Sequence, residues 1–399
     1  MSAAHIVSIT AHGAEAPRLQ EPGRTPVLTK MLFLLYVLLL GGSALHLYRT
    51  PVYSMDSIQY MGNALLMEER DPVRVHERVY AEVDRSVPKI ARDHLLGRDA
   101  GATADQNRSR QARAANAGTF AEFLPFFAIR PLYNQTLWLV SKTGVGLVRG
   151  GILISVVSYF LLGILVFGWI VRYTGGVFAL AFSLLLMISP PLLELGRDTT
   201  SDALATLVAF AALYLIFERQ RLLPGMTLLL ASLYFRSDFL VLAGPVLLAC
   251  WRERRLEFWK AGVLALLAVG SVLGINHFAG DYGIGMLYYR NFVSVPTAPG
   301  EMTVHLSFKE YLSALKSGVT LVTESFFLPF LLLGMIAVVS KRMRALFAVA
   351  LAYVLLHFLV LPNWEERWFG LFYLAMGVCA ASAMGAMQRG ALRNLATAK

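Results

Sequence analysis

The stretch YSMDSIQYMGNALL, residues 53–66, contains the first residue that could do chemistry, the acid Asp56. Asp56 comes a few residues after the first long apolar run of the chain, residues 31–47. Tyr60 and Ala64 follow at helical spacing, which places them on one face of a helix that begins near Asp56. A carboxylate held at the boundary between water and lipid can accept a proton without being buried deeply enough to stay protonated at neutral pH. Asp56 is therefore our first candidate for a general base.

Other charged residues lie at or near the ends of the later apolar runs. An arginine can hold a phosphate through two parallel hydrogen bonds, and a carboxylate can take a proton from an attacking hydroxyl. A ring of both types suits an anionic, amphiphilic ligand such as a lipid-linked phosphate. The members of this ring are Asp56, Arg130, Arg197, Asp198, Asp202, Arg236, Asp238, Glu324, Glu365, Glu366 and Arg367.

Several members of the ring also have a purely structural explanation. Asp202 follows Ser201 at a predicted helix start, where the helix dipole favours an acid. Arg236 and Asp238 can pair with each other across a tight turn. Interfacial anchoring would explain Arg367, which lies between Trp364 and Trp368. Arg130, which precedes Pro131, could serve only to position a surface helix. Asp56 could cap a helix over 57–68.

Composition indicates the kind of molecule that must position these residues. Of the 399 residues, 56% are hydrophobic and 16% are charged. Apolar runs long enough to cross a bilayer recur along the chain, so we predict an all-α polytopic membrane protein with about 9–11 transmembrane helices. More spans follow the first run, which excludes a cleaved signal peptide. We interpret the net charge of +10 first as a sign of membrane topology, because basic loops mark the inner side, and not as a sign of nucleic-acid binding.

The apolar runs and the charges between them predict where each span lies. Two half-length segments, 222–235 and 239–251, flank the polar turn RSD, and a single helix through that turn would hold charges at mid-membrane at high cost. We therefore predict a hairpin there. The predicted segments are 28–48, 150–171, 175–195, 200–217, 222–235, 239–251, 261–277, 322–340, 345–361 and 368–387.

The spans divide the chain into a transmembrane domain, 27–388, and two tails. Residues 1–26 are predicted to be a disordered cytoplasmic tail, and 389–399 a second cytoplasmic tail. A long first loop, 49–149, and a second loop, 278–321, lie on the outer side. Within the first loop, 57–68, 72–85 and 119–140 have the apolar spacing of amphipathic surface helices, whereas 97–118 lacks apolar residues and is expected to be mobile.

Other chemistry is thinly represented. Cys250 and Cys379 both fall in apolar runs and give neither a disulfide framework nor a metal motif. The eight histidines show no paired ligand spacing, and we expect His357 to be a packed residue rather than a base. The segment GVGLVRGG, 144–151, lacks the spacing of a dinucleotide loop. We predict no cofactor and no metal site, with a divalent cation left open.

Five stretches of the chain resemble the GT-C fold glycosyltransferases, which include the protein O-mannosyltransferases and the bacterial enzymes that move sugars from polyprenyl phosphate to lipid A or surface glycans. These stretches are MDSIQYMGNAL, IRPLYNQTLWLVSKTG, SPPLLELGRDTTSDALATLVAFAALYL, LYFRSDFLVLAGPVLL and LPNWEERWFGLFYLAMG. They are spread along most of 27–388, in the order found in that family. The resemblance implies that Asp56 is the catalytic carboxylate. Ser57 stands where the family more often has a second acid, which leaves a metal-binding role in doubt.

The resemblance and the charged ring together predict an inverting glycosyltransferase at the outer face of a bacterial inner membrane. It would take a sugar from a polyprenyl-phosphate donor to a lipid, glycan or protein acceptor of the cell envelope, with the active site facing the periplasm. We expect Asp56, Asp198 and Asp202 to be catalytic, and Arg130, Arg236 and Arg367 to bind the donor phosphate. Supporting roles are expected for Tyr60, Tyr133, Arg197, Asp238 and Glu366.

Two further classes of protein remain open at this point. A transporter or flippase of lipid-linked glycans would need ionisable groups along a path through the membrane, whereas the charged ring lies at one face. A structural subunit of an envelope complex would not depend on Asp56 for its role.

The first prediction concerns topology. Basic clusters such as RERR, 252–255, and KRMR, 341–344, should lie inside, because short cytoplasmic loops are enriched in Lys and Arg. Reporter fusions after residue 255 should give the cytoplasmic signal, and fusions within 97–118 the outer signal. An outer signal after 255 would overturn the hairpin at 222–251.

Overall fold

The structure is a computed structural model that describes residues 26–293, 299–302, 304, 307–339 and 343–397. These residues are mostly helical, and no β-strand occurs among them. An isolated bridge between Val52 and Asp198 is the only extended pairing in the described ranges. The all-α prediction is confirmed. Residues 1–25, which carry the predicted disordered tail, lie outside the described part.

The first helix is a long apolar one, and it leads into a group of short helices. Asp71 caps one of these short helices by accepting a hydrogen bond from the Val73 amide, with Pro72 at the first helical position. The bounds are α1 (Pro26–Arg49), α2 (Asp56–Leu65), α3 (Pro72–Ser86), α4 (Lys89–Leu95), α5 (Ala104–Ala115), α6 (Ala117–Phe123), α7 (Pro125–Ala128) and α8 (Pro131–Ser141).

Helix α5 corrects the expectation that 97–118 is mobile. It begins with a capping box, in which Thr103 and Gln106 each hydrogen-bond the other's backbone. Arg110 and Arg113 on this helix are buried. The polar composition suggested a mobile segment, but the helix is fixed by its cap and by burial of its arginine stems.

The remaining helices form the apolar bundle and a second group of shorter elements. Their bounds are α9 (Leu147–Ile170), α10 (Gly176–Met187), α11 (Pro190–Arg197), α12 (Asp202–Leu213), a π-helical turn (Tyr214–Glu218), α13 (Leu222–Ser232), a 3₁₀ turn (Ser237–Phe239), α14 (Leu240–Arg252), α15 (Phe258–Phe278), α16 (Gly283–Phe292), α17 (Phe308–Glu324), α18 (Phe327–Met335), α19 (Arg344–Val360), a 3₁₀ turn (Glu366–Phe369) and α20 (Gly370–Thr397).

Four helices of the described chain are long and apolar enough to cross a membrane, and up to six if each bent pair is one span. The four segments are Val27–Arg49, Leu147–Ile170, Phe258–Phe278 and Glu366–Gln388. Several long apolar helices are thus present, as predicted. Fewer pass this test than the number of predicted spans, because the other apolar segments are short or bent.

Two predicted spans are bent pairs. The segment predicted at 175–195 bends by 64° between α10 and α11, where Pro190 starts a new helix after Ser189 because proline cannot continue the previous one. The segment predicted at 322–340 bends by 66° between α17 and α18. Helix α17 therefore begins well inside the predicted second loop, 278–321. The predicted hairpin at 222–251 is present as α13, the turn and α14.

Helix α20 is the centre of the bundle. Most of its spanning window is buried inside the protein, whereas α1 and α15 expose most of their apolar side chains. Small residues let α20 approach its neighbours closely, and a Cβ atom added at Gly385 would collide with the backbone carbonyl of Tyr173. Outward-facing apolar helices around a buried one are what a lipid environment requires.

A substitution at Gly385 should test this packing. Gly385→Ala should lower the free energy of unfolding by about 1–3 kcal/mol, because a backbone atom cannot move aside for the new methyl group. The matched control is Gly262→Ala on α15, where a Cβ meets nothing within 4 Å and alanine favours the helix. The measurement is thermal unfolding of the purified protein in detergent. Equal melting temperatures for both variants would contradict the close approach.

Candidate functional site

A cavity of about 410 Å³ lies where the ends of several bundle helices meet the short helices of the first loop. Its wall includes the start of α2, the middle of α5, the turn before α14 and the end of α19. Ionisable side chains from these elements converge on it. They are Arg110, Arg113, Arg130, Arg236, Arg290 and Arg367, together with Asp56, Asp202, Asp238, Glu365 and His357.

Arg236 is the most enclosed of these arginines. Its side chain is only 3% exposed. One guanidinium nitrogen donates to Asp202 at 2.8 Å, and two others donate to the two oxygens of Asp238. The structure thus shows the pairing of Arg236 with Asp238 that the sequence left open beside phosphate binding. Two carboxylates compensate the positive charge of Arg236, so this group has no excess positive charge to attract a phosphate.

Asp238 links this pair to the far side of the cavity. His357 is buried, and its Nε2 lies 2.8 Å from an oxygen of Asp238. Burial alone would raise the pKa of the Asp238 carboxyl, but Arg236 and His357 outweigh it, so the pKa lies well below its usual range. His357 is packed, as expected, and it also has a charged partner that no local sequence signal indicated.

Arg367 forms the second centre of charge. It donates to Asp198 at 2.7 Å and to Glu365 at 2.7 Å, with Asp202 at 3.6 Å and Asp56 at 3.7 Å. Its side chain is 11% exposed, which excludes an interfacial anchor turned toward lipid. We call Arg236 and Arg367 the helix-end arginines, because both lie where bundle helices begin or end.

The three predicted catalytic acids come together around Arg367. Asp56 begins α2 and lies 3.6 Å from Arg290. It forms no cap, since the capping position is Met55 and no side chain caps this helix end; the capping explanation is wrong. Asp198 is buried beside Arg367, one of its oxygens has no partner, and burial raises the pKa of this carboxyl to about 7 although Arg367 opposes the rise.

Asp202 differs from the other two acids. It begins α12, as its position after Ser201 suggested, and its second oxygen accepts a hydrogen bond from Thr200 at 2.9 Å. Both oxygens are therefore occupied, one by Arg236 and one by Thr200. Of the three acids, Asp56 is the most exposed, with 23% of its side chain accessible. It is thus the one best placed to meet a ligand.

Arg130 and Tyr60 are linked on the loop side of the cavity. A guanidinium nitrogen of Arg130 donates to the Tyr60 hydroxyl, which lies 3.2 Å from the hydroxyl of Ser201. Tyr133 packs edge-on against Tyr60, with 4.7 Å between ring centroids. Tyr133 is therefore a support for Tyr60 and does not itself line this cavity.

Two predicted supporting residues and one further acid lie away from the cavity. The Arg197 side chain is exposed. Its backbone carbonyl accepts a hydrogen bond from the Val52 amide. Glu366 accepts hydrogen bonds from the Phe326 amide and the Tyr373 hydroxyl. Glu324 is exposed at the end of α17. Glu365 and Glu366 are adjacent on a turn and point in different directions. Of the two, only Glu365 lines the cavity.

Sequence reasoning missed three arginines that line the cavity. Arg110 and Arg113 belong to the segment expected to be mobile, although TADQ, 103–106, has the residues of a capping box and could have indicated α5. Arg290 lies in the second loop on α16, and nothing local distinguishes it from a solvated residue. With Arg130, these three are the loop arginines.

The described residues contain no group of three or more His, Cys, Asp or Glu side chains arranged to hold a metal ion. Comparison with protein-family models, curated proteins and solved structures finds no match for this chain.

The helix-end network should be needed for stability. Asp202→Asn should lower the free energy of unfolding by about 1–3 kcal/mol, because it leaves a buried guanidinium with one charged partner fewer. Glu324→Gln, an exposed acid at another helix end, should change stability by less than about 0.5 kcal/mol. Thermal unfolding in detergent at constant salt measures both. A melting temperature for Asp202→Asn equal to that of the control would contradict a stabilising role for the pair.

Proposed function

We propose that this protein is a membrane glycosyltransferase with a GT-C-like arrangement of about 9–11 spans, which uses a polyprenyl-phosphate-linked sugar. The observation that carries the proposal is the composition of the cavity. Six arginines and four carboxylates line it, and the remaining wall is largely apolar. A ligand with an anionic head and an apolar tail matches both halves of that wall.

Apolar side chains make up much of the remaining cavity wall. They include Leu240 and Val241 at the start of α14, Val272 on α15, Leu287 on α16 and Val360 at the end of α19. Since α15 exposes most of its apolar surface, an isoprenoid chain that runs along these helices can remain in lipid. The charged head would then lie beside Asp56.

The reaction proposed at this site is an inverting transfer. The acceptor hydroxyl oxygen attacks the anomeric carbon, and the bond between that carbon and the phosphate oxygen breaks. The electron pair of the broken bond leaves with the phosphate, which gains one negative charge. The proton of the hydroxyl passes to the carboxylate of Asp56.

Asp198 has a different role in this proposal. It is buried behind Arg367 and does not line the cavity. It binds Arg367 at 2.7 Å, and Arg367 lies 3.7 Å from Asp56, so its role in this proposal is to hold Arg367 beside Asp56. Stabilisation of the charge on the departing phosphate should contribute most to the rate.

The proposed setting is a bacterial inner membrane with the cavity facing the periplasm. The acceptor would be a lipid, a glycan or a protein of the cell envelope. The contacts around Arg236 and Arg367 place the ends of α11, α13 and α19 beside the starts of α12, α14 and α20. This is the arrangement expected if the chain crosses the membrane between those ends.

Asp56→Asn should leave insertion and expression intact and lower transfer about 100-fold or more, the usual scale for loss of a general base. Asp56→Glu should be nearly as poor, because the position of the carboxylate matters as much as its charge. The readout is the surface glycan or envelope lipid made by a deletion strain that carries each variant, analysed by mass spectrometry at matched protein level. Glu324→Gln is the control and should retain normal transfer.

The same experiment separates a transferase from the two further classes of protein. A flippase should not depend on Asp56 as a base, so a normal product from the Asn variant would remove the transferase assignment. A structural subunit of an envelope complex would also give a normal product with this variant. Loss of product together with accumulation of the sugar-loaded donor lipid is the result expected of a transferase.

A further inference from the structure

The loop arginines, Arg110, Arg113, Arg130 and Arg290, line the cavity with almost no negative partners. Among the described side chains, the only carboxylate within ion-pairing distance of any of them is Asp56, 3.6 Å from Arg290. The helix-end arginines, in contrast, each contact two or more carboxylates. Positive charge in this cavity is therefore concentrated on the loop side.

The two arginines of α5 are held by neutral groups. Arg113 donates to the backbone carbonyl of Ser109 at 3.1 Å, and its guanidinium lies 4.4 Å from the centre of the Phe123 ring. Arg110 donates to the backbone carbonyl of His94 at 3.2 Å. These contacts orient the guanidinium groups without forming an ion pair, and the charges of Asp99 on Arg110 and of Asp56 on Arg113 act only from beyond ion-pairing distance.

Arg130 and Arg290 approach each other across a shared ring. Their guanidinium carbons lie 5.7 Å and 4.8 Å from the centroid of Phe127. Arg130 donates to the Tyr60 hydroxyl, which is neutral. Both guanidinium groups therefore lie within the range of a cation–π interaction with Phe127.

Such a cluster is unfavourable in the absence of an anion. Burial lowers the pKa of Arg113 to about 10, and the charge of Arg290 contributes to that lowering. Burial also lowers the pKa of Arg290, and Arg130 adds to the effect. A buried cation without a partner costs free energy, and four that repel one another cost more, so an arrangement of this kind indicates a negatively charged ligand.

We propose that the four loop arginines form the binding site for a phosphate group that carries two negative charges, and that the helix-end arginines serve the carboxylates instead. The assignment moves phosphate binding away from Arg236 and Arg367, which the sequence favoured. It rests on the proposed function only for the lipid attached to the phosphate.

The charge of the site fits the phosphate released by the proposed reaction better than it fits the sugar-linked donor. A sugar phosphodiester carries one negative charge, and the phosphate monoester released from it carries about two at pH 8. Four guanidinium groups with a single carboxylate favour the second state. Interactions that strengthen as the leaving group gains charge lower the barrier.

Binding by the purified full chain in detergent tests the site without any turnover. The probes are farnesyl phosphate, its methyl diester and farnesol, which share one tail and differ in charge, together with inorganic phosphate. At pH 8 we expect farnesyl phosphate to bind about tenfold or more tightly than the diester, and the diester more tightly than farnesol. Equal dissociation constants for the three lipids would overturn the proposal.

Variants locate the site. Arg113→Met and Arg290→Met should each weaken farnesyl phosphate binding about tenfold or more, while farnesol binding stays the same. The control is Arg74→Met on α3, whose side chain is 70% exposed. If Arg113→Met does not fold, Arg130→Met replaces it. Wild-type affinity in the variants that fold would overturn the assignment.

Two further outcomes separate this inference from the proposed function. Inorganic phosphate that competes as well as farnesyl phosphate would support the arginine site and remove the lipid-linked donor. Tight, arginine-dependent binding of farnesyl phosphate, combined with a normal product from Asp56→Asn, would support the arginine site and remove the transferase assignment.

Discussion

The fold depends on compensating two guanidinium groups where the bundle helices end. Arg236 and Arg367 are almost fully buried, and each is held by carboxylates from a different part of the chain. In a low-dielectric interior, removing one member of such a group strands a charge, so the partners must be present together. These pairs bring the start of α12, the turn before α14 and the turn before α20 to one place. Everything else around the cavity is arranged on that frame.

The same constraint divides the cavity into two halves of different character. Near the helix ends, each arginine is paired with carboxylates, and these ion pairs hold the helix ends together. On the loop side, arginines stacked on Phe123 and Phe127 have little compensation. Asp56 lies between the halves, since it faces Arg290 on one side and Arg367 on the other.

The sequence predicted some parts of this arrangement well. Charges next to apolar runs indicated Asp56, Asp198, Asp202 and Arg367, and all four do lie together, because helix ends on one side of a bundle must converge. The turn RSD indicated the hairpin for the same reason. The direction in which each side chain of a turn points could not be predicted from the sequence. Glu366 was therefore predicted as the supporting residue, although Glu365 is the one that lines the cavity. Arg113 was missed because its guanidinium packs over Phe123 of another helix, a contact that periodicity cannot show.

Helix α20 lies at the centre of the bundle and is last among the described helices in chain order. The helices that surround α20 are synthesised before it, so the faces that will enclose α20 stay uncovered until it follows. Arg367, just ahead of α20, reaches its carboxylate partners only when this helix arrives. Until then, Asp198 is an acid without its cation. The cluster of charges around Arg367 can therefore form only after α20 has been synthesised.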